Sequence, residues 1–234
     1  MKIILDAGHG YQTSGKRTPD GMQEYEFNRA VASHAKLLLD KHEGVTVHFT
    51  HSDHEDTPLR QRTDRANVLK ADVFVSIHAN AFGNGSWNDA CGIETFVYTS
   101  KPIESLTLAE KIQSNMTAMT GLSDRGVKAA NFHVLRETIC PSILVECGFM
   151  TNLHESALLH SDEYRKICAK AIVKSIVEQF QLNSEKASFN NQKKVQDGTT
   201  MYRVQAGAFK NRKNAEELVK QLKQAGFEST IIQD

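Results

Sequence analysis

No apolar run in these 234 residues is long enough to span a bilayer, which excludes a membrane-crossing helix. A signal peptide is missing as well. "MKIIL" passes straight into Asp6 and a glycine turn, without an extended apolar region or a cleavage site. The expectation is synthesis in the cytoplasm, with release by another route if the protein acts outside. Net charge is absent: Lys+Arg 28 stands against Asp+Glu 28, which argues against a non-specific nucleic-acid binder. Cysteine is sparse. Cys91, Cys140, Cys147 and Cys168 form no CxxC pair, and on mostly apolar segments they read as free, buried thiols in a reducing compartment.

What is present is an ordinary globular composition, 40% hydrophobic and 24% charged, with room for one substantial domain and a small one. Short β-branched runs predict strands at Lys2–Leu5, Val45–Thr50, Asp72–Asn80, Ile93–Thr99 and Ser142–Phe149, with Phe132–Glu137 as a sixth. Helical spacing lies between them. Phe27, Ala30, Val31, His34 and Leu38 share a face, as do Ile103, Leu106, Ala109, Ile112, Met116 and Met119. Tyr164, Ile167, Cys168, Ala171, Ile172, Ser175, Ile176 and Phe180 form a third stripe. Met116 and Met119 read as core. The alternation predicts an α/β fold: a mainly parallel or mixed twisted sheet of about six strands, helices on both faces.

After Leu182 the composition changes. Residues 183–199 are polar and aperiodic and read as a linker. Residues 200–234 become regular again. "MYRVQAGAF" alternates as a strand, Ala215, Leu218, Leu222 and Ala225 share a helix face that stops at Gly226, and "FESTIIQD" is a second strand. This is a small β-α-β fragment, distinct from a first domain over residues 1–182.

Four polar residues interrupt this pattern where strands end. His9 lies in "DAGHG" after the first strand, His78 closes "VFVSIHAN", and Glu146 follows the apolar start of "SILVECGF". Glu24 opens the helix after the first strand. In parallel α/β sheets ligands gather at the carboxyl ends of strands, so the topology would bring all four to one edge. Two histidines and one carboxylate form a catalytic zinc set with a position open for water. Glu146 then has the chemistry to move that water's proton. A strand-end histidine also reads as a hydrogen-bonded core residue, and ten histidines make a chance pair easy, so spacing leaves both readings open. His34, on an apolar helix face, reads as core or half-exposed. His48, His51 and His54, with Asp53, Glu55 and Asp56, read as a solvated polar loop.

Seven blocks occur in order: "LDAGHG", "GMQEYEFN", "PLRQRTDRAN", "DVFVSIHANA", "GIETFVY", "RGVKAANFHVLRET" and "PSILVECGFMTN". Together, over about residues 1–180, they resemble the zinc-dependent N-acetylmuramoyl-L-alanine amidases of the type-3 amidase family. The resemblance implies that His9, Glu24 and His78 bind Zn2+ and that Glu146 is catalytic. Glu26 is near, but Glu24 has the family offset, four residues before Asn28. Cys147 stands where an apolar residue is common, and "DAGHGYQ" lacks a preceding proline and a third glycine; neither touches a proposed ligand. The tail from Tyr202 resembles the first half of a SPOR repeat, a peptidoglycan-binding module of two β-α-β halves. A fragment of this size could instead pack on the main domain or pair with another chain.

The resemblance implies a peptidoglycan hydrolase that cuts the amide between N-acetylmuramic acid and L-alanine of the stem peptide by a zinc-activated water. Its partner is peptidoglycan, with no nucleic acid and no membrane span. The competing readings are another zinc peptidase or deacetylase, and a non-catalytic wall-binding protein, against which the intact site residues argue. Two settings fit a chain without a secretion signal: a phage endolysin, and an autolysin acting at cell lysis in sporulation.

Overall fold

The computed structural model describes residues 1–13, 15–183, 211–224, 229 and 231. The chain divides into two units, Met1–Ser188 and Phe189–Asp234. In the first unit the order is β1 (Lys2–Ala7), α1 (Glu24–Leu39), β2 (Thr46–Phe49), α2 (Leu59–Leu69), β3 (Val73–Asn80), β4 (Ile93–Val97), α3 (Ile103–Thr120), β5 (Asp124–Ala129), α4 (His133–Arg136), β6 (Ser142–Phe149), α5 (Leu153–His160) and α6 (Asp162–Phe180). In the second unit the described residues form α7 (Arg212–Gln224), with Ala215, Leu218 and Leu222 half-buried along it. The first strand expected in the tail, all of the second except Ser229 and Ile231, Ala225, Gly226 and nearly all of the linker lie outside the described residues. Among the described residues, no helix is long and apolar enough to cross a membrane.

One six-stranded sheet organises the first unit, in the order β2-β1-β3-β6-β4-β5. β2, β1, β3 and β6 pair in parallel, β4 joins β6 antiparallel, and β5 runs parallel to β4. The sheet is therefore mixed, two blocks of opposite direction meeting at β6. Strand alternation sorts the side chains. Ile3, Leu5, Val73, Val75, Ile143 and Val145 turn to one face, where Phe27 and Val31 of α1, Leu108 and Ile112 of α3, and Cys168 and Ile172 of α6 cover them. Burying each such large side chain contributes about 1.5–3 kcal/mol relative to exposure. Ile4, Phe74 and Leu144 turn to the other face, against Ala66 of α2 and Val134 and Leu135 of α4. That second apolar cluster is small, and towards the carboxyl ends of β1, β3 and β6 its strand positions become Asp6, Ser76, His78 and Glu146.

Several sequence expectations need correction. Phe132–Glu137 is not a strand: it forms the short helix α4, whose adjacent Val134 and Leu135 are both buried, as one turn allows and strand alternation does not. The sixth strand is β5, with no fully buried residue; it is an edge strand carrying Asp124, Arg125 and Lys128, so it had no apolar signal. On α1 the buried face runs through Glu24, Asn28, Val31, Ala32, Ala35 and Leu39, while Ala30, His34 and Leu38 are half-buried at its margin. Two polar residues head that face, which shifted the apolar stripe read from the sequence. His34 Nε2 meets Asp162 Oδ1 at 2.8 Å and ties α1 to α6. On α3 Met116 is core, but Ile103, its first residue, and Met119, next to its last, are exposed. Cys147 and Cys168 are buried, Cys91 and Cys140 half-buried, and all four are free.

Candidate metal centre

The site begins with β1 running out at Ala7. Gly8 donates its backbone N–H to Ile77 of β3, and His9 takes a left-handed backbone conformation, φ 67°, which swings its imidazole back over the sheet edge. Gly8 has to be glycine. A Cβ there would lie 2.0 Å from Cε1 of His78, so the loop and the β3 histidine pack without a side chain between them. Gly8→Ala is therefore expected to push His78 out of place and to lower zinc occupancy severalfold; elemental analysis of the purified variant measures this.

Glu24 is the first residue of α1 and is buried. Its Oε2 lies 3.1 Å from His9 Nε2 and its Oε1 2.8 Å from His78 Nδ1. Backbone N–H groups of Lys16 and Ala79 and the Asn28 amide also donate to it. Burial pushes this carboxyl up, but where a proton sits on the facing nitrogens of His78 and His9 their hydrogen bonds and charge outweigh it, holding Glu24 below the usual carboxylate range. Glu26 has a different job: it is exposed and accepts from the Gln23 N–H at 3.1 Å, capping the helix.

The ligand atoms of His9, Glu24 and His78 all lie within 4.8 Å of one another. Behind His78 runs a chain the sequence reading did not identify. Ser76 Oγ donates to Asp6 Oδ2 at 2.6 Å, because a carboxylate only accepts. The same oxygen can then accept from His78 Nε2, 3.1 Å away, leaving the Nδ1 lone pair facing Glu24. Two acceptors 2.8 Å apart need a cation between them, a proton or a metal. The two imidazoles, the carboxylate and this orienting chain fit a zinc ion. Asp6 is anchored in turn. Arg62 donates from Nη1 to Asp6 Oδ1 at 2.8 Å and to the Ala7 carbonyl at 2.6 Å, and from Nη2 to the His9 carbonyl. Burial raises the Asp6 carboxyl, but Arg62 and the Ser76 and Thr50 hydroxyls bring it below its ordinary value.

Glu146 stands directly across from His78 in the β3–β6 register. Its Oε2 is buried and has no hydrogen-bond partner among the described residues. Burial, then the charges of Glu24 and Glu94, push its carboxyl well above the usual range, with Lys16 opposing. A carboxyl so raised holds a proton more readily than an ordinary glutamate, which suits a group that exchanges protons. β3 runs to Asn80 and β6 to Phe149, as the strand pattern predicted, so both groups lie within the last residues of their strands. Gly148 does not end β6; its φ of 135° accommodates the register shift between His78 and Asn80.

The histidine-rich loop behaves differently from its sequence reading. His48 belongs to β2, and His51 is partly buried against Phe49 and Tyr25, with Nδ1 accepting the Ala7 N–H at 3.2 Å. Burial lowers the His51 imidazole to about 4, so it is the neutral acceptor that this bond requires. Asp53, His54 and Glu55 are exposed as expected, while Asp56 is half-buried.

Comparison with known proteins follows the same lines. The sequence pattern of the family described as N-acetylmuramoyl-L-alanine amidase matches residues 3–178, and that of the SPOR domain matches residues 170–233. An N-acetylmuramoyl-L-alanine amidase of Bacillus licheniformis is 31% identical over 233 residues, 99% of this chain and 85% of the relative. A sporulation-specific N-acetylmuramoyl-L-alanine amidase of Bacillus subtilis is 31% identical over 233 residues, 99% of this chain and 84% of the relative. The crystal structure of an N-acetylmuramoyl-L-alanine amidase from Clostridium difficile 630 superposes with a TM-score of 0.73 at 32% identity, covering 77% of this chain and 96% of that one.

Proposed function

The chain belongs to the N-acetylmuramoyl-L-alanine amidase family, and from that premise we propose that it hydrolyses the amide between N-acetylmuramic acid and L-alanine of the peptidoglycan stem in a zinc-dependent reaction. The observation that carries the metal part is the convergence of His9, Glu24 and His78 within 4.8 Å, beside a Glu146 oxygen that is buried and unpartnered. His9, Glu24 and His78 would hold the ion. When bound, zinc lowers the pKa of a water and polarises a carbonyl. Ser76 and Asp6 keep the Nδ1 of His78 directed to the site. Glu146 accepts the proton of the attacking water and delivers it to the L-alanine nitrogen as the C–N bond breaks. A nearby dication would also offset the like charge of Glu24 that Glu146 feels.

The test is the product. Digestion of purified cell walls is expected to release new amino groups that are L-alanine N-termini, to stop on chelation and to recover with added zinc. New reducing ends without L-alanine termini, or activity indifferent to chelation, would overturn the reading.

The division of labour along the chain is part of the proposal. Residues 1–182 carry catalysis, 183–199 link, and 200–234 form a partial SPOR-like repeat that favours retention on the wall. The SPOR match over residues 170–233 supports a wall-directed tail. Truncation after Leu182 is expected to leave a zinc-loaded domain that still cuts soluble fragments at near full rate and sediments less with insoluble walls. Aggregation or zinc loss in the truncated chain would place the tail within the core. Likeness to a sporulation-specific amidase over 99% of the chain supports lysis of the sporulating cell as the setting.

A further inference from the structure

The reversal of strand direction at β6 has a consequence for what lies beside Glu146. β4 and β5 run antiparallel to β6, so their first residues reach the same sheet edge as the last residues of β3 and β6. Glu94 of β4 pairs in register with Glu146, on the side opposite His78. Glu94 is nearly buried, 7% exposed at the side chain, and its Oε1 accepts from Asn80 Nδ2 at 2.7 Å. Its Oε2 is shared by two cations of β5: Arg125 Nε at 2.8 Å, and Lys128 Nζ.

Glu94 meets both cations through one oxygen, while Glu155, the other carboxylate near Arg125, is occupied by the Gly92 and Phe149 N–H groups, so neither cation is fully used by a protein carboxylate. Both cations reach solvent, Arg125 at 36% and Lys128 at 40% side-chain exposure. The guanidinium is held in place: its Cζ lies 4.8 Å from the centre of the Phe149 ring, its Nη1 donates to the Cys91 carbonyl at 3.1 Å, and its Nη2 has no partner among the described residues. With Nε and Nη1 engaged, Nη2 is the nitrogen left to donate to an incoming carboxylate, and Lys128 Nζ can add a second donor. Neighbouring strands are about 4.8 Å apart, so the β5 backbone stands roughly 10 Å across the sheet from Glu146 and the charged heads, drawn to Glu94 on the strand between, stand nearer. Two extended residues cover about 7 Å, and a side chain or carboxyl group spans the remainder.

We infer that Arg125 and Lys128, tethered by Glu94, form a subsite for a carboxylate on the peptide side of the scissile amide, carried by the residue after L-alanine. This rests on the amidase reading. In peptidoglycan that second residue is a glutamate whose free carboxyl is either an acid or a carboxamide, so the subsite selects the acid form. The other cations near the metal ligands, Lys16 and Arg17, line a separate cavity of about 500 Å³ with Gly83, Asn84 and Gly85. They are the competing location for the same charge.

The test uses two soluble disaccharide–tripeptide fragments that differ only in whether that carboxyl is free or amidated. With the full-length zinc enzyme, kcat/KM is expected to be about tenfold higher for the acid, the scale of one or two hydrogen bonds to a charged group. Arg125→Gln and Lys128→Gln should each lower that preference by raising KM for the acid alone, with zinc content unchanged; Arg125→Lys should restore part of it. Should Arg125→Gln not fold, Lys128→Gln, a half-exposed substitution, carries the comparison. A wild type without preference, a variant that loses both fragments equally, or loss of preference in Arg17→Gln instead would overturn the inference. If neither fragment yields free L-alanine amines, the amidase reading itself fails.

Discussion

Glu146→Gln is expected to keep zinc at its wild-type occupancy and to lower turnover on cell walls by roughly a hundredfold or more, the scale of losing general acid–base help. Glutamine preserves the shape of the side chain in its strand position opposite His78 but takes away the base. A neutral amide escapes the charge burial that raises the Glu146 carboxyl, so folding should suffer little. Glu24→Gln should behave in the opposite way. Glu24 is the negative member of the three-residue cluster, and both of its oxygens contact histidine nitrogens. A neutral amide is a poor zinc ligand, so metal affinity should drop and activity with it. Elemental analysis beside the rate on walls separates the two. Zinc lost from Glu146→Gln and kept by Glu24→Gln would mean that the roles are exchanged.

The parts of this protein that were legible in its sequence share a physical cause. The buried strands β1, β3 and β6 are continuous apolar runs, and a polar residue that interrupts such a run is conspicuous; His78 and Glu146 stood out for that reason. His9 was marked by its flanking glycines, and Glu24 by its place at a helix start. The edge strand β5 was not legible, because it buries nothing completely and its residues are charged. Nor was the supporting layer. Asp6 and Ser76 look like ordinary polar residues near strand ends until the pairing of β1 with β3 sets them side by side. Arg62 reads as one of several charges on a polar helix, and only the fold shows it to be buried. The Glu94, Arg125 and Lys128 cluster depends on β4 entering the sheet antiparallel to β6, a topological choice that strand patterns do not encode.

Arg62→Ala is expected to be the most destabilising single substitution around the site, although Arg62 touches none of the ligand side chains. Its side chain is 3% exposed and that of Asp6 2%, so removing the guanidinium leaves a carboxylate buried without its counter-ion. Breaking such a pair typically costs about 3–5 kcal/mol. The loss should also reach the metal, since the same guanidinium binds the Ala7 and His9 carbonyls and so fixes the turn that presents the His9 imidazole. Urea denaturation at pH 7 and zinc content measure the two effects. The pH dependence follows from Asp6. Its carboxyl lies below its ordinary value in the folded protein, so the stability it contributes is present above the unfolded carboxylate pKa of about 4 and is lost as pH falls through the lower folded value. The gap between wild type and Arg62→Ala should therefore be full where Asp6 is charged in both and should narrow as pH falls, first because burial without Arg62 raises the Asp6 carboxyl in the variant, then below about pH 4 because the wild type loses its own contribution. Pairing Arg62→Met with Asp6→Asn removes both charges at once and should recover a large part of the stability without restoring the grip on the His9 turn. Stability that returns together with full zinc occupancy in this double variant would show that Arg62 acts on the fold alone.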